Sequence, residues 1–262
     1  MKVSAHLDFD MVAVETNDRI SLMIDFTAPL KEKRTARPGQ AVQIVLDRSG
    51  SMSGERLNAA KFSILKLVDR LAPQDSLGLV CFDDQALIAV PMKQMSAHDI
   101  HALRHAIKSI QPGGSTDLSS GYLLGLRELS NVSTDSGATL ILLSDGEANA
   151  GIQDPDLLRS IATNSANQKI TSSTIGIGLG YDETLLAAIS TGGGGQHRFA
   201  QTVDESVACL SSEVDDLLEK SAVNAIMKVK PVAGLASPKI EIVQNLPFWK
   251  DEDTYVVQLG DL

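Results

Sequence analysis

An α/β fold is predicted for this 262-residue chain: a doubly wound, mostly parallel sheet with one antiparallel edge strand, plus a small β-sandwich built from strands at both ends. Three features lead to it. From Ala41 to about Ala200, short continuous apolar runs alternate with segments of helical spacing, the pattern of a parallel sheet covered on both faces. Before and after that stretch, apolar residues alternate with polar ones at the period of half-buried strands. Strands at opposite ends of a chain meet only when the part between them is an insertion. The expected organisation is therefore residues 1–36 and 220–262 in an accessory β-sandwich and 40–219 in the α/β domain. The stop at Gly260-Asp261-Leu262, directly after a strand, raises the expectation of a piece of something longer.

Val3, Ala5, Leu7, Phe9 and Met11 alternate with polar residues, and Ile20, Leu22, Ile24 and Phe26 repeat the pattern beyond Thr16-Asn17-Asp18, predicting an antiparallel strand pair. Lys31 to Gln40 holds no apolar residue larger than Ala36 and reads as a linker. Strands follow at VQIVLD ending at Asp47, SLGLVCF ending at Phe82, ALIAV at 86–90, TLILLSD ending at Asp145 and ITSSTIGIG ending near Gly178. The Asp83-Asp84 turn makes ALIAV the antiparallel edge. Helical spacing joins Leu57, Ala60, Ile64, Val68 and Leu71; Ile100, Leu103 and Ile107 behind a Ser96/Asp99 capping signal; and Leu118, Tyr122, Leu126 and Leu129. Further helices are expected after Pro155, at Asp182 and near Val203, with the glycines at 192–195 making a tight helix-to-strand turn. AVNAIMKVK, KIEIVQN and TYVVQLG close the chain as strands.

Composition removes several function classes. With 33 acidic against 23 basic residues the formal charge is -10, which opposes binding to nucleic acid or anionic lipid. No window reaches transmembrane length, so no membrane insertion is expected, and MKVSAHLDFDM lacks a signal-peptide core; a native N-terminus would place the protein in the cytoplasm. Cys81 and Cys209 sit in apolar stretches without zinc-site spacing and read as buried, reduced thiols. His101 and His105 lack a third ligand, and Glu213-Val214-Asp215-Asp216 reads as a solvated helix face.

In a doubly wound sheet, ligands bind outside the carboxyl ends of the strands. Three segments fall there: Asp47-Arg48-Ser49-Gly50-Ser51, Gly113-Gly114-Ser115-Thr116-Asp117 and Ser144-Asp145-Gly146-Glu147. They offer carboxylates and hydroxyls without imidazole or thiolate, a set suited to Mg²⁺, with Mn²⁺ or Ca²⁺ as alternatives. Singly, each has a plainer reading: Ser49 to Ser53 as a helix cap, Asp145-Gly146 as a strand-ending turn, Gly113-Gly114 as a loop. Together, DRSGS, the threonine of GGSTDL and the aspartate of LLSDGE resemble, in order and spacing, the metal-ion-dependent adhesion site of von Willebrand factor type A (VWA) domains. IGIGLGYDE and TGGGGQHRF resemble bacterial members. The resemblance spans roughly residues 40–218 and implies the Rossmann-like VWA fold. It also implies Ser49, Ser51 and Thr116 as direct hydroxyl ligands, with Asp47 and Asp145 acting mainly through water; Ser115 is an alternative to Thr116.

A metal held by hydroxyls and water keeps much of its charge, so an open position favours a carboxylate from another molecule. The resemblance implies a Glu or Asp from a partner protein. The expectation is a metal-dependent protein-binding module with a rim of Arg48, Met52, Asp117, Glu147 and Asn149. The rivals are a structural subunit with a loop-stabilising metal and a Mg²⁺-dependent phosphoryl hydrolase using Asp47 as nucleophile. For the hydrolase, Ser49 stands where a second carboxylate is wanted; G-x-S-x-G and the nucleotide-binding glycine motifs are also absent, so the expectation is not an enzyme.

Overall fold

The computed structural model of the chain describes residues 2–9, 19–27, 39–132, 137–178, 180–219, 225–230, 241–243 and 248–260. Strands β1 (Lys2–Leu7) and β2 (Leu22–Thr27) pair antiparallel. The α/β part follows as β3 (Ala41–Asp47), α1 (Glu55–Arg70), β4 (Ser76–Phe82), β5 (Ala86–Gln94), α2 (Ile100–Lys108), α3 (Leu118–Leu129), β6 (Ala138–Ser144), α4 (Pro155–Ala166), β7 (Ile170–Ile177), α5 (Glu183–Gly192), β8 (Gly194–Ala200) and α6 (Val203–Glu219). Strands β9 (Ala225–Val229), β10 (Phe248–Asp251) and β11 (Thr254–Gly260) form an antiparallel sheet in the order β10-β11-β9. The chain divides into two compact units, Ala36–Leu218 and Met1–Thr35 with Glu219–Leu262.

The larger sheet has the order β5-β4-β3-β6-β7-β8, with every neighbouring pair parallel except β4 and β5. Its central strands are apolar on both faces because helices cover both. Val42, Ile44 and Leu46 of β3 pack with Leu57, Ile64 and Leu67 of α1 and Leu103 and Ile107 of α2. The alternate residues Ala41 and Val45 pack with Leu118 and Tyr122 of α3, Leu158 of α4 and Leu186 of α5. Each such fully buried side chain contributes roughly 1.5–3 kcal/mol of burial free energy. Four helices begin at an aspartate whose carboxylate accepts backbone N–H groups of the first turn: Asp99, Asp117, Asp154 and Asp182. Of the predicted Ser96/Asp99 signal, Asp99 is the cap.

This order places the topological switch between β3 and β6. From β3 the chain crosses to β4 on one side, then returns by way of β5 to β6 on the other. The loops after β3 and β6 therefore diverge from a crevice at the carboxyl ends of adjacent strands, where open α/β sheets bind ligands.

Several expectations need correction. Glu241, Ile242 and Val243 of KIEIVQN are not in a strand, whereas Phe248–Asp251, not foreseen, pairs with β11. Met11, Thr16-Asn17-Asp18 and residues 31–38 lie outside the described residues. The acidic run of α6 is not simply solvated: Glu213 is buried with Arg198 Nε 2.9 Å from its Oε2, and Asp215 pairs with Arg70. Cys81 is buried, but Cys209 is only half-buried. His101 and His105 lie on an exposed face.

Candidate metal centre

Asp47 is the last residue of β3, and nothing of it reaches solvent. The Ser49 N–H donates to its Oδ1 at 2.8 Å and the Ser144 hydroxyl to its Oδ2 at 2.6 Å. Burial pushes the Asp47 carboxyl above the usual carboxylate range, opposed by these hydrogen bonds and reinforced by the charge of Asp145. After Asp47 the chain makes a 3-10 turn at Gly50–Met52 before α1. The N-cap of α1 is Gly54, at φ 85°, with no side-chain cap bond. None of the three serines caps that helix, so capping does not account for them.

Ser49 and Ser51 lie toward the loop after β6 instead. Ser49 Oγ and Ser51 Oγ lie 3.0 Å apart, and the Ser51 hydroxyl donates to Asp145 Oδ1 at 2.8 Å. The other oxygen, Asp145 Oδ2, is held by Arg56 Nη1 at 2.5 Å. Thr116 reaches the same place from the loop before α3: a Cβ on Gly146 would lie 3.2 Å from Ser51 Oγ and 3.5 Å from Thr116 Oγ1. Glycine at 146 thus leaves open a cradle that any other residue would begin to fill.

Backbone bonds fix the three loops to one another. The Gly50 N–H donates to Gly114 O at 2.9 Å and the Gly113 N–H to Arg48 O at 2.6 Å. The Thr116 N–H donates to Asn149 Oδ1 at 3.0 Å, and the Asn149 N–H returns to Thr116 O at 3.1 Å. The Ser115 hydroxyl also donates to Asn149 Oδ1 and is turned to the outside, so Thr116 is the member of the pair at the cradle.

All five predicted donors, Asp47, Ser49, Ser51, Thr116 and Asp145, are thus gathered at one edge. The rim is not. Met52 is fully buried in the core beneath the turn, where it cannot touch a partner. Arg48 turns inward, its Nη2 2.7 Å from Asp83 Oδ2. Asp117 spends its carboxylate on Ser119 and Ser120 at the start of α3. Only Glu147 and Asn149 of the expected rim are exposed. A cavity of about 270 Å³ lined by residues including Arg48, Cys81, Leu87 and Ile110 opens on the β5 flank; none of the five donors lines it. Sequence reading placed Ser144 in its segment without giving it a role, and missed Arg56 and Asp83. Ser144 had a usable signal, a hydroxyl closing a buried strand directly before Asp145; the two long-range ion pairs had none.

The donor set fits a hard divalent cation. Among the described residues no group of three or more His, Cys, Asp or Glu is placed to hold a metal. What converges is two buried carboxylates and three hydroxyls, all oxygen, and a guanidinium already stands at one carboxylate as a cation would.

A sequence model of the von Willebrand factor type A domain matches residues 42–213. The chain belongs to the von Willebrand factor type A family. VWA domains are commonly metal-dependent protein-interaction modules and generally not enzymes. An uncharacterized protein of Synechocystis sp., sll0103, is 30% identical over 231 residues, covering 84% of this chain. This VWA chain spans 53% of that relative's length. A von Willebrand factor type A structure from Catenulispora acidiphila is 17% identical at a TM-score of 0.73, covering 99% of this chain and 62% of its own. Proximal thread matrix protein 1 of the mussel byssus, solved with zinc in its metal-ion-dependent adhesion site, is 20% identical at a TM-score of 0.54, covering 68% of this chain and 45% of its own. At these identities the two structures speak for the VWA fold alone. Among the described residues no helix is long and apolar enough to cross a membrane.

Proposed function

We propose that this VWA chain is a protein-binding module whose Ser49, Ser51, Thr116, Asp47 and Asp145 hold a divalent cation, Mg²⁺ first, for a Glu or Asp side chain of a partner protein. The observation that carries this is the chain of contacts Ser49 Oγ to Ser51 Oγ at 3.0 Å and Ser51 Oγ to Asp145 Oδ1 at 2.8 Å, beside the open cradle at Gly146. When bound, the cation supplies an open coordination position that takes a carboxylate oxygen. The hydroxyls are neutral ligands and leave its charge available. Asp47 stays behind them, held by Ser144 and the Ser49 backbone. Support also comes from the zinc-occupied site of the mussel protein, which shares the fold.

The phosphoryl-hydrolase reading is disfavoured by the burial of Asp47. A nucleophile must reach its substrate, and here both oxygens of a carboxylate without solvent exposure are engaged.

The test is calorimetric titration of Mg²⁺, Mn²⁺ and Ca²⁺ into EDTA-treated wild type, Asp47→Ala and the double variant Ser49→Ala/Ser51→Ala. Stoichiometric binding by wild type that both folded variants lose is the expected result. No binding to folded wild type overturns the reading. A Glu-containing peptide or protein captured in Mg²⁺ and released by EDTA separates recruitment from a metal that only raises the melting temperature.

A further inference from the structure

Arg56 is the second residue of α1, and it reaches out of its own helix to a carboxylate 89 positions away. Its Nη1 lies 2.5 Å from Asp145 Oδ2 and 3.5 Å from Ser51 O. The Asp145 side chain is fully buried while that of Arg56 is 43% exposed, so the guanidinium plugs the carboxylate from the solvent side. Gly178, at φ 79°, provides the berth: a Cβ there would stand 3.1 Å from Arg56 Nη2. The bare backbone at this point leaves room for the guanidinium beside the loop after β7.

We infer that Arg56 is the resident counter-ion of the metal site, neutralising Asp145 in the metal-free protein and competing with the divalent cation for it. The inference rests on the metal-dependent reading above. Two carboxylates, Asp47 and Asp145, are buried at the same crevice. Buried charge without a partner is strongly unfavourable, and among the described residues Arg56 is the cation in contact with Asp145. Both oxygens of Asp145 are thereby occupied, Oδ1 by Ser51 and Oδ2 by Arg56. A divalent cation drawing on Asp145 meets a like charge a few ångströms away and must displace or distort that ion pair. Arg56 therefore stabilises the empty site and raises the metal concentration needed to fill it. Because coupling between two ligands of one group is reciprocal, the same free energy appears in metal affinity and in metal-free stability.

The experiment is Mg²⁺ calorimetry on EDTA-treated wild type, Arg56→Gln and Arg56→Lys, with melting curves in EDTA and in saturating Mg²⁺. Arg56→Gln is expected to bind Mg²⁺ about tenfold tighter, equivalent to about 1.4 kcal/mol, to melt lower in EDTA, and to gain more from Mg²⁺ than wild type does. Arg56→Lys, which keeps the charge, stays near wild type. If Arg56→Gln does not fold in EDTA, its folding by Mg²⁺ below the wild-type Kd supports the inference, and failure to fold at any Mg²⁺ concentration overturns it. Equal or weaker Mg²⁺ binding by folded Arg56→Gln overturns the competition while leaving the metal site standing. Absence of binding in wild type and both variants overturns the two readings together.

Discussion

The Ser51 hydroxyl donates to Asp145 Oδ1 at 2.8 Å and so joins the loops after β3 and β6 across 94 positions of chain. Ser51→Ala removes a donor from a buried carboxylate and, on the function proposed above, a ligand from the cation. Metal-free stability should fall by about 1.5–3 kcal/mol, the usual loss when a charged acceptor forfeits one hydrogen bond. Mg²⁺ affinity should fall by at least about tenfold, which is about 1.4 kcal/mol. Urea denaturation in EDTA reads the first quantity and calorimetry the second.

Gly146→Ala separates site from fold. Gly146 is not in the left-handed region, so alanine meets no left-handed strain there. Its Cβ would stand 3.2 Å from Ser51 Oγ and 3.5 Å from Thr116 Oγ1, inside the cradle. The expected outcome is a melting temperature in EDTA close to wild type with Mg²⁺ binding strongly weakened. An unchanged Mg²⁺ isotherm would show that the cation does not use the space between those hydroxyls.

Met52→Ala distinguishes a core residue from a rim residue. At 0% exposure, Met52 packs with the side chains between the sheet and α1, and its truncation should cost about 2–5 kcal/mol in chemical denaturation. A surface position in the same loop would cost no more than about 0.5 kcal/mol.

A pH dependence is expected from His197. Thr174 Oγ1 donates to Leu186 O at 3.1 Å, so at 2.9 Å it accepts from His197 Nδ1–H, which leaves Nε2 to accept the Tyr181 hydroxyl at 3.2 Å. That network holds the neutral imidazole, and burial lowers the His197 pKa from 6.5, opposed by Glu183. The unfolded chain therefore binds more protons between the folded pKa and 6.5. This contribution to stability is complete above pH 6.5 and lost as pH falls through the folded value. Titration of the imidazole by NMR should give a pKa below 6.5, and His197→Gln should flatten the acid side of the stability profile.

The strand and helix order of the α/β part was legible because its central strands are largely apolar runs and its helices carry regular spacing, α2 to α5 behind aspartate caps. The gathering of Asp47, Ser49, Ser51 and Asp145 was legible for a related reason: they follow the ends of β3 and β6, a local property of the chain, whereas Thr116, in the loop between α2 and α3, came only from the resemblance in order and spacing. What local pattern could not report was the direction in which Arg48 and Met52 point. Arg48 turns inward because Asp83, just past the adjacent carboxyl end of β4, supplies its charge partner. Met52 turns inward because the 3-10 turn rotates it towards Leu57 and Ile64. The strand Phe248–Asp251 was missed because its residues are all exposed and its conformation is set by pairing with β11.

The division of the chain into a nested pair of units has a bearing on how the molecule comes into being. One unit draws β1 and β2 from the start of the chain and β9 to β11 from its end, and β2 ends at Thr27 while β9 begins at Ala225. Closing a loop costs entropy that grows with the length of free chain it encloses. Once Ala36–Leu218 has folded, most of that length is already committed and the closure becomes cheap. Assembly of the outer unit is thus coupled to the folding of the inner one, which brings the attachment points of its two segments into range.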